Sequence, residues 1–153
     1  MATTQGKIED ETLQPFEKAP IYKCAKKILC NAQNIVAHMP NRHKYVTGEK
    51  LNEACLALID TASWAYVESD LRRKVALLRL VTRKTMGALI LHRIANDLNL
   101  IASRSIYIEQ VDALVSILKQ ANGWIDKTGA KLASGQQTMR AGKEPERSQV
   151  RFR

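Results

Sequence analysis

The stretch DLRRKVALLRLVTRK, residues 70–84, combines an apolar helical pattern with a high density of positive charge. It contains six basic residues and one acid, Asp70, which stands at its start. Leu71, Val75 and Leu78 follow one another at steps of four and three, which is the spacing of one face of an α-helix. We therefore predict a long helix over residues 71–99, with Asp70 as its N-cap.

Two further amphipathic segments precede this helix. A first helix is predicted over residues 17–38, and its apolar stripe consists of Ile21, Ala25, Ile28, Ala32, Ile35 and Met39. Pro40 and the following segment NRHKYVTG are predicted to end it. A second helix then begins with Thr47 as its predicted N-cap. Its apolar stripe consists of Leu51, Cys55, Leu58, Ala62 and Ala65, and it is widened by Leu56 and Ile59.

A fourth amphipathic segment follows the turn at NLIASRSIY. Ser103 or Ser105 is its predicted N-cap, and it is predicted to end near Thr128 and Gly129. Its apolar stripe consists of Tyr107, Val111, Leu114, Leu118, Ala121 and Ile125. Four such segments with short connections predict an all-α fold, an antiparallel up-down-up-down four-helix bundle. The low aromatic content, 5%, agrees with an all-α protein.

The two ends of the chain differ in composition from the predicted bundle, which occupies residues 17–132. Residues 1–16 are polar and net acidic, and we predict that they form a flexible arm. Residues 133–153 have no apolar period and carry five basic residues against two acidic ones. We predict a basic, disordered tail there.

The charge and the cysteines indicate the kind of partner and compartment. The formal net charge is +9, which favours an acidic partner such as nucleic acid. The chain has an odd number of cysteines, Cys24, Cys30 and Cys55, and none of them belongs to a C-x-x-C pair. Buried, reduced thiols and a cytoplasmic location are therefore predicted. The longest charge-poor apolar run, TMGALIL, is far shorter than the roughly 20 residues that a membrane-spanning helix needs, and no partnership with a membrane is expected.

We find no catalytic motif in the sequence. It contains no glycine-rich phosphate loop, no nucleophile elbow and no H-E-x-x-H pattern. None of His38, His43 and His92 has a glutamate three residues before it, as the di-iron bundles require. The sequence therefore predicts a protein that is not an enzyme and that uses no metal and no cofactor.

The basic residues of the long helix fall on defined faces of a helical wheel. With Arg72 at 0° and about 100° per residue, Arg79 and Arg83 lie within about 20° of it and form one column. Further cations lie on the flanks, and the candidate binding set is Arg72, Arg73, Arg79, Arg83, Lys84 and Arg93. The apolar stripe is predicted to centre near about 260°, beside this column. No acid occurs from residue 71 through residue 96, so no i,i+4 ion pair within the helix neutralises it.

Three interpretations of the column remain open on the residues alone. It is a solvated face, a grip on nucleic-acid phosphates, or a contact for an acidic protein surface. A membrane-surface helix is disfavoured, because the apolar side is needed for the core. For Trp64 and Trp124, packing in the core or in an interface is the first expectation, since base stacking would need a flanking basic groove.

Three stretches, in order, resemble one bacterial protein family. MPNRHKYVTGEKL, residues 39–51, resembles the junction of helices 1 and 2 in the accessory variability determinants, or Avd proteins, of diversity-generating retroelements. LLRLVTRKTMGALILHRIANDLNLIASRSIY, residues 77–107, resembles the family's helix 3. VSILKQANGWIDK, residues 115–127, resembles the end of helix 4, where the family has a Gly-Trp pair. The resemblance spans about residues 20–130.

The resemblance implies a concrete function. Avd proteins form homopentameric barrels of four-helix protomers, and they bind the retroelement's reverse transcriptase. They bind nucleic acid through a basic surface and support the mutagenic copying of template RNA into cDNA, which then diversifies a target gene by retrohoming. In this chain the resemblance implies that the family's basic surface corresponds to the six candidate residues chosen from the helical wheel. The implied partners are the reverse transcriptase and RNA, with DNA or an RNA/DNA hybrid left open.

Two alternatives are retained. Four-helix proteins encoded in intervening sequences of 23S ribosomal RNA genes carry an RRAAxSIxxNIAEG-like segment after helix 2. Residues 71–84, LRRKVALLRLVTRK, lack the small residues and the Asn-Ile-Ala-Glu of that segment, and this departure favours Avd. The other alternative is a helical scaffold that binds an acidic protein partner through the same column.

Overall fold

The computed structural model describes residues 13–151, with side chains through residue 135. These residues form an all-helical structure with four helices and no strand. The helices are α1 (Pro20–Ala37), α2 (Glu49–Val67), α3 (Leu71–Asp97) and α4 (Arg104–Arg151), and a short 3₁₀ turn, Pro15–Lys18, precedes them. None of the helices in this part of the chain has the length and the apolar character that a bilayer crossing requires.

Each helix packs against two others around one hydrophobic core. Helix α1 contacts α2 and α4, and α3 contacts the same two helices. The main stripes predicted for α1 and α2 are buried and so confirmed, but of Leu56 and Ile59, which were predicted to widen the α2 stripe, Leu56 is exposed and Ile59 only partly buried. In α4 the buried face is displaced from the predicted stripe: Leu114 and Ala121 are buried as predicted, but their fully or nearly buried companions are Gln110, Ile117 and Thr128.

The junction between α1 and α2 is more helical than the sequence predicted. The carbonyl of Pro40 accepts hydrogen bonds from the backbone N–H groups of His43 and Lys44, at 2.9 and 3.0 Å, so a helical turn starts directly after this proline. It continues through a π-helical turn, Lys44–Gly48, into α2. The prediction of Thr47 as an N-cap is therefore wrong. Proline is well suited to the start of a helix, because it lacks only a donor that would be unpaired there.

Gly48 lies at this junction because α1 and α2 approach each other closely there. A Cβ atom on Gly48 would lie 2.7 Å from Cγ1 of Val36, a residue near the end of α1. Its backbone is ordinary right-handed helix, with φ of −62°. The glycine is thus required by the lack of space and not by a special backbone angle. Its predicted role as part of a helix break is wrong.

The ends of α3 follow from identifiable capping interactions. Asp70 is the N-cap, as predicted, and its Oδ1 accepts a hydrogen bond of 3.0 Å from the backbone N–H of Arg73. The helix ends at Asp97, slightly before the predicted residue 99. Asn99 adopts a positive φ of 56°, and Leu100 donates its N–H to the carbonyl of Ala95 at 2.9 Å. This is a Schellman motif, a common way to satisfy the last carbonyls of a helix.

The boundaries of α4 settle one open choice and correct one prediction. Ser103 is the cap, since its Oγ accepts a hydrogen bond of 3.3 Å from the N–H of Ile106. The helix does not end near Thr128 and Gly129 but continues to Arg151. A glycine inside a helix costs only about 1 kcal/mol relative to alanine, so Gly129 is not a sufficient stop signal.

The predicted arm and tail are described only in part. Residues 1–12 of the predicted arm 1–16 lie outside the described residues, whereas Phe16 packs edge-on against Tyr22 with ring centroids 5.4 Å apart. In the predicted tail, residues 133–153, the backbone is helical through Arg151, which differs from the predicted disorder. Because the side chains from residue 136 onward lie outside the description, the basic surface expected of this tail stays a prediction.

Candidate nucleic-acid interface

All six predicted binding residues lie on α3 with exposed side chains. Arg72, Arg79 and Arg83 share one face and extend along about 16 Å of the helix axis at 1.5 Å per residue. Arg73 and Lys84 flank this column on one side. Arg93 lies on the other flank and about 15 Å beyond Arg83, so the structure does not bring it together with the column.

The column lies farther from the core than the sequence predicted. The buried residues of α3 are Leu78, Val81, Thr85, Ala88, Leu89, His92 and Ala95. On the wheel they centre near about 200° and not near 260°, so the column at 0° lies nearly opposite them. The prediction that it runs beside the apolar stripe is wrong. The difference arises because Leu71 and Val75 at the start of α3 are only partly buried, while the polar residues Thr85 and His92 are fully buried.

The charges of the column are not neutralised within the chain. Where the structure describes side chains, the ion pairs are Lys27 with Glu109 and Lys50 with Glu53. Neither pair uses a cation of α3. The cap residue Asp70 lies at the start of the column, and its pKa is lowered mainly because the backbone N–H of Arg73 donates to its carboxylate. The helix therefore presents a positive face to its surroundings.

A groove between α2 and α3 borders this positive face. It encloses about 750 Å³. Arg83, Lys84 and Leu80 line it from α3, and Lys50 and Glu53 line it from α2. The Glu53 carboxylate lies 3.3 Å from the Lys50 ammonium, so the groove has no unpaired acid from this residue. Phosphates that follow the column would thus lie beside a groove whose unpaired charges, like those of the column, are positive.

The other half of the outer face of α3 is apolar, and the sequence analysis missed it. Met86, Ile90, Ile94 and Leu98 follow one another at steps of four, and Ile90 and Leu98 are 53% and 52% exposed. Periodicity finds apolar stripes but does not show which of two stripes on one helix faces the core. The outer face of α3 is thus basic in its first half and apolar in its second.

Helix α2 also carries exposed apolar side chains. Trp64 is 61% exposed, so packing in the core of the protomer, one of its predicted roles, is wrong for this residue. Leu56 and Val67 are exposed on the same face. The acids of this face, which are also exposed, are Glu49, Glu53 and Asp60.

Trp124 is partly buried and packs within the protein, as predicted. Its ring centroid lies 6.0 Å from that of Tyr66 in an edge-to-face arrangement. The ammonium of Lys74, the third basic residue of α3, lies 5.0 Å from the Trp124 ring centroid. This cation–π contact brings the start of α3 next to the middle of α4.

The thiols and acids do not assemble into a metal site. No group of three or more His, Cys, Asp or Glu residues that could hold a metal ion occurs within the described side chains. Cys55 is buried, and burial raises the pKa of its thiol to about 12. Cys24 is partly buried with a raised pKa, again through burial. Cys30 is exposed, so the prediction of a buried thiol is wrong for this residue.

No protein-family model, curated protein or solved structure matches this chain.

Proposed function

We propose that this protein is the non-catalytic accessory subunit of a diversity-generating retroelement. It binds the reverse transcriptase and the template RNA or its cDNA in the cytoplasm, and it supports mutagenic cDNA synthesis and retrohoming. The observation that carries the proposal is the exposed column of Arg72, Arg79 and Arg83, with no ion pair to any described acid.

The chemistry of the column suits a phosphate backbone. Guanidinium groups present several N–H donors in a plane and form two parallel hydrogen bonds to a phosphate. Three such groups along about 16 Å can neutralise several phosphates of one strand without contact to the bases. The expected binding is therefore independent of sequence and strongly dependent on salt.

The assembly belongs to the same proposal. We expect four helices in up-down-up-down order and five protomers in a closed ring. Supporting this, α2 exposes Leu56 and Trp64 among acids, while α3 exposes Ile90 and Ile94 next to arginines. Exposed apolar stripes of this kind are typical of protein interfaces. Because the two faces differ and have opposite charge, they favour head-to-tail contacts, which close into rings.

A scaffold that binds only protein is the second candidate. The apolar half of α3 supports it, because an arginine column next to Met86 and Ile90 also matches the composition of protein interfaces. In this case the column would meet an acidic surface of the reverse transcriptase or of another partner. A protein of the 23S ribosomal RNA intervening sequences remains the alternative within four-helix proteins.

Co-expression with the reverse transcriptase encoded beside the gene tests the proposal. The tagged protein is recovered with and without nuclease treatment, and both protein and RNA are analysed. We expect the reverse transcriptase in both samples and RNA only in the untreated one. Recovery of the enzyme without any RNA would favour the scaffold, and recovery of neither would contradict both candidates.

A further inference from the structure

A cleft of about 510 Å³ opens where the start of α1, the end of α2 and the middle of α4 meet. We name it the Trp124 cleft. Its walls are residues 19–21 from the start of α1, with Tyr66, Lys119, Gln120, Gly123, Trp124 and Lys127. The volume is within the range of roughly 300–1,000 Å³ that small-molecule sites occupy. It could hold a ligand group of the size of one nucleotide.

The charge of the Trp124 cleft is positive. Lys119 and Lys127 are exposed, and neither takes part in an ion pair with a described residue. Of the described residues that line the cleft, none is Asp or Glu. A third ammonium, that of Lys74, is held next to the cleft by the Trp124 ring and by the carbonyl of Tyr66, at 3.4 Å.

The aromatic wall of the cleft is fixed in position. Trp124 and Tyr66 are both partly buried and pack edge to face, which holds each ring in place. Gly123 precedes the tryptophan, and a Cβ built there meets no atom within 4 Å. The space beside the ring is therefore open because this position has no side chain.

Lys74 lies beside the Trp124 cleft, on the side of α3 that faces away from the basic column. It follows Arg72 and Arg73 directly in sequence, and its ammonium lies over the Trp124 ring. At about 100° per residue Lys74 lies roughly 160° around the helix from Arg72, so the cleft and the column are on different faces of α3. A base that stacks on the covered side of the ring would displace the ammonium, which would then be close to the strand's phosphates.

We propose that the Trp124 cleft binds one unpaired nucleotide of a single-stranded nucleic acid. The base packs against Trp124 and Tyr66, and the adjoining phosphate lies between Lys119 and Lys127. Stacking on an aromatic ring is available to every base, but the bases of a duplex are already stacked and paired. The cleft thus adds a preference for single strands to the nucleic-acid binding of the proposed function, on which this inference rests.

The two tryptophans of the chain permit a direct test. In Trp64→Phe the remaining tryptophan, Trp124, reports on the cleft, and in Trp124→Phe the remaining one reports on the outer face of α2. We expect a short single-stranded oligouridylate to quench the fluorescence of Trp124 but not that of Trp64. A duplex of the same length should leave the fluorescence of Trp124 unchanged.

Two variants separate the cleft from the rest of the surface. Gly123→Leu fills the open space and favours helix, so we expect a folded protein that binds the single strand about tenfold more weakly, the effect of one lost stack. Its affinity for the duplex should not change. Lys119→Glu with Lys127→Glu should abolish quenching, whereas Lys26→Glu with Arg104→Glu, which has the same change in charge outside the cleft, should retain it.

The outcomes distinguish the inference from the proposed function. If the single strand binds wild-type protein and Gly123→Leu equally well and does not quench Trp124, the cleft is not the site, although nucleic-acid binding stands. If neither single strand nor duplex binds any form of the protein, the proposed nucleic-acid function fails, and the inference fails with it.

Discussion

The side-chain amide nitrogen of Gln110 lies 3.0 Å from Nε2 of His92, and both residues are fully buried. The same nitrogen donates to the carbonyl of Ile28 at 2.9 Å. Nδ1 of His92 lies 2.7 Å from the carbonyl of Ala88, so it carries the proton and donates it. Nε2 must then be the acceptor of the Gln110 bond, which requires a neutral ring. This network connects α1, α3 and α4 inside the core.

The neutral state of His92 makes the stability of the protein sensitive to acid. Burial lowers the pKa of His92 below 6.5, although the bond to Ala88 opposes this in part. At a pH between the pKa of His92 in the folded protein and its higher pKa in the unfolded chain, the unfolded chain binds more protons. The stability that the neutral, buried His92 contributes is therefore complete above pH 6.5 and is lost as the pH falls through that interval.

We expect the free energy of unfolding of the wild type to decline as the pH falls below about 6.5, before most carboxylates titrate. His92→Met should decline less over the same interval, because the buried titratable group is gone. Urea unfolding at a series of pH values measures both profiles. Identical slopes in the two proteins would contradict the assignment of a neutral, buried His92.

The His92–Gln110 pair should also show energetic coupling. Gln110→Met leaves Nε2 of His92 without its donor, and we expect a loss of about 1–3 kcal/mol in the free energy of unfolding. His92→Leu deprives the Gln110 amide of one acceptor. Because the double variant leaves neither of the two side chains without the other as a partner, its loss should be smaller than the sum of the two single losses. Additive losses would mean that the two side chains act independently.

Two glycines inside helical segments should respond in opposite ways to alanine. Gly48→Ala would place Cβ against the stiff, buried Val36, and we expect a loss of about 1–3 kcal/mol in stability. Gly87→Ala places Cβ in open space within α3, and we expect a gain of about 0.5–1 kcal/mol. Thermal unfolding of both variants beside the wild type checks the pair. A gain at Gly48 would show that α1 and α2 are not in close contact there.

The outer faces of α2 and α3 should control assembly. A mass measurement in solution is expected to give a multiple of the protomer mass, with five as the proposed number. Trp64→Glu and Ile90→Glu each place a charge on an exposed apolar stripe, and both should release protomers without loss of helicity. Ala37→Glu, an exposed position at the end of α1, is the matched control. A wild-type protein that is a monomer would contradict the assembly.

Periodicity predicted the parts of the fold that depend on one helix face. The stripes of α1 and α2 were correct because their apolar residues recur on the one face that is buried, and Asp70 was correct as a cap because capping is local. The orientation of α3 was wrong by a quarter turn or less. The reason is that Leu71 and Val75, on which the predicted stripe was based, are only partly buried, whereas the polar residues Thr85 and His92 are fully buried.

The candidate site, like the fold, could be predicted from the sequence only in part. The sequence alone was enough to identify the arginine column, because a run of uncompensated cations is visible without a structure. The Trp124 cleft could not be foreseen, since it depends on Tyr66 and Trp124, which are distant in the chain and meet only after folding. The exposure of Ile90 and Trp64 depends likewise on how the helices are placed around the core.

The salt dependence of RNA binding tests the central claim most directly. Wild type is compared with Arg72→Glu/Arg79→Glu/Arg83→Glu and with the control Lys26→Glu/Arg42→Glu/Arg104→Glu, which reverses three other exposed cations. We expect the wild type to bind tightly at low salt, with a steep decline of log K against log salt. Loss of three phosphate contacts should lower that slope by about 2 on a single strand and greatly weaken binding. The control should bind RNA with an affinity and a salt slope close to those of the wild type. Equal binding and equal slopes in the wild type and the α3 variant would contradict the assignment of this face to nucleic acid.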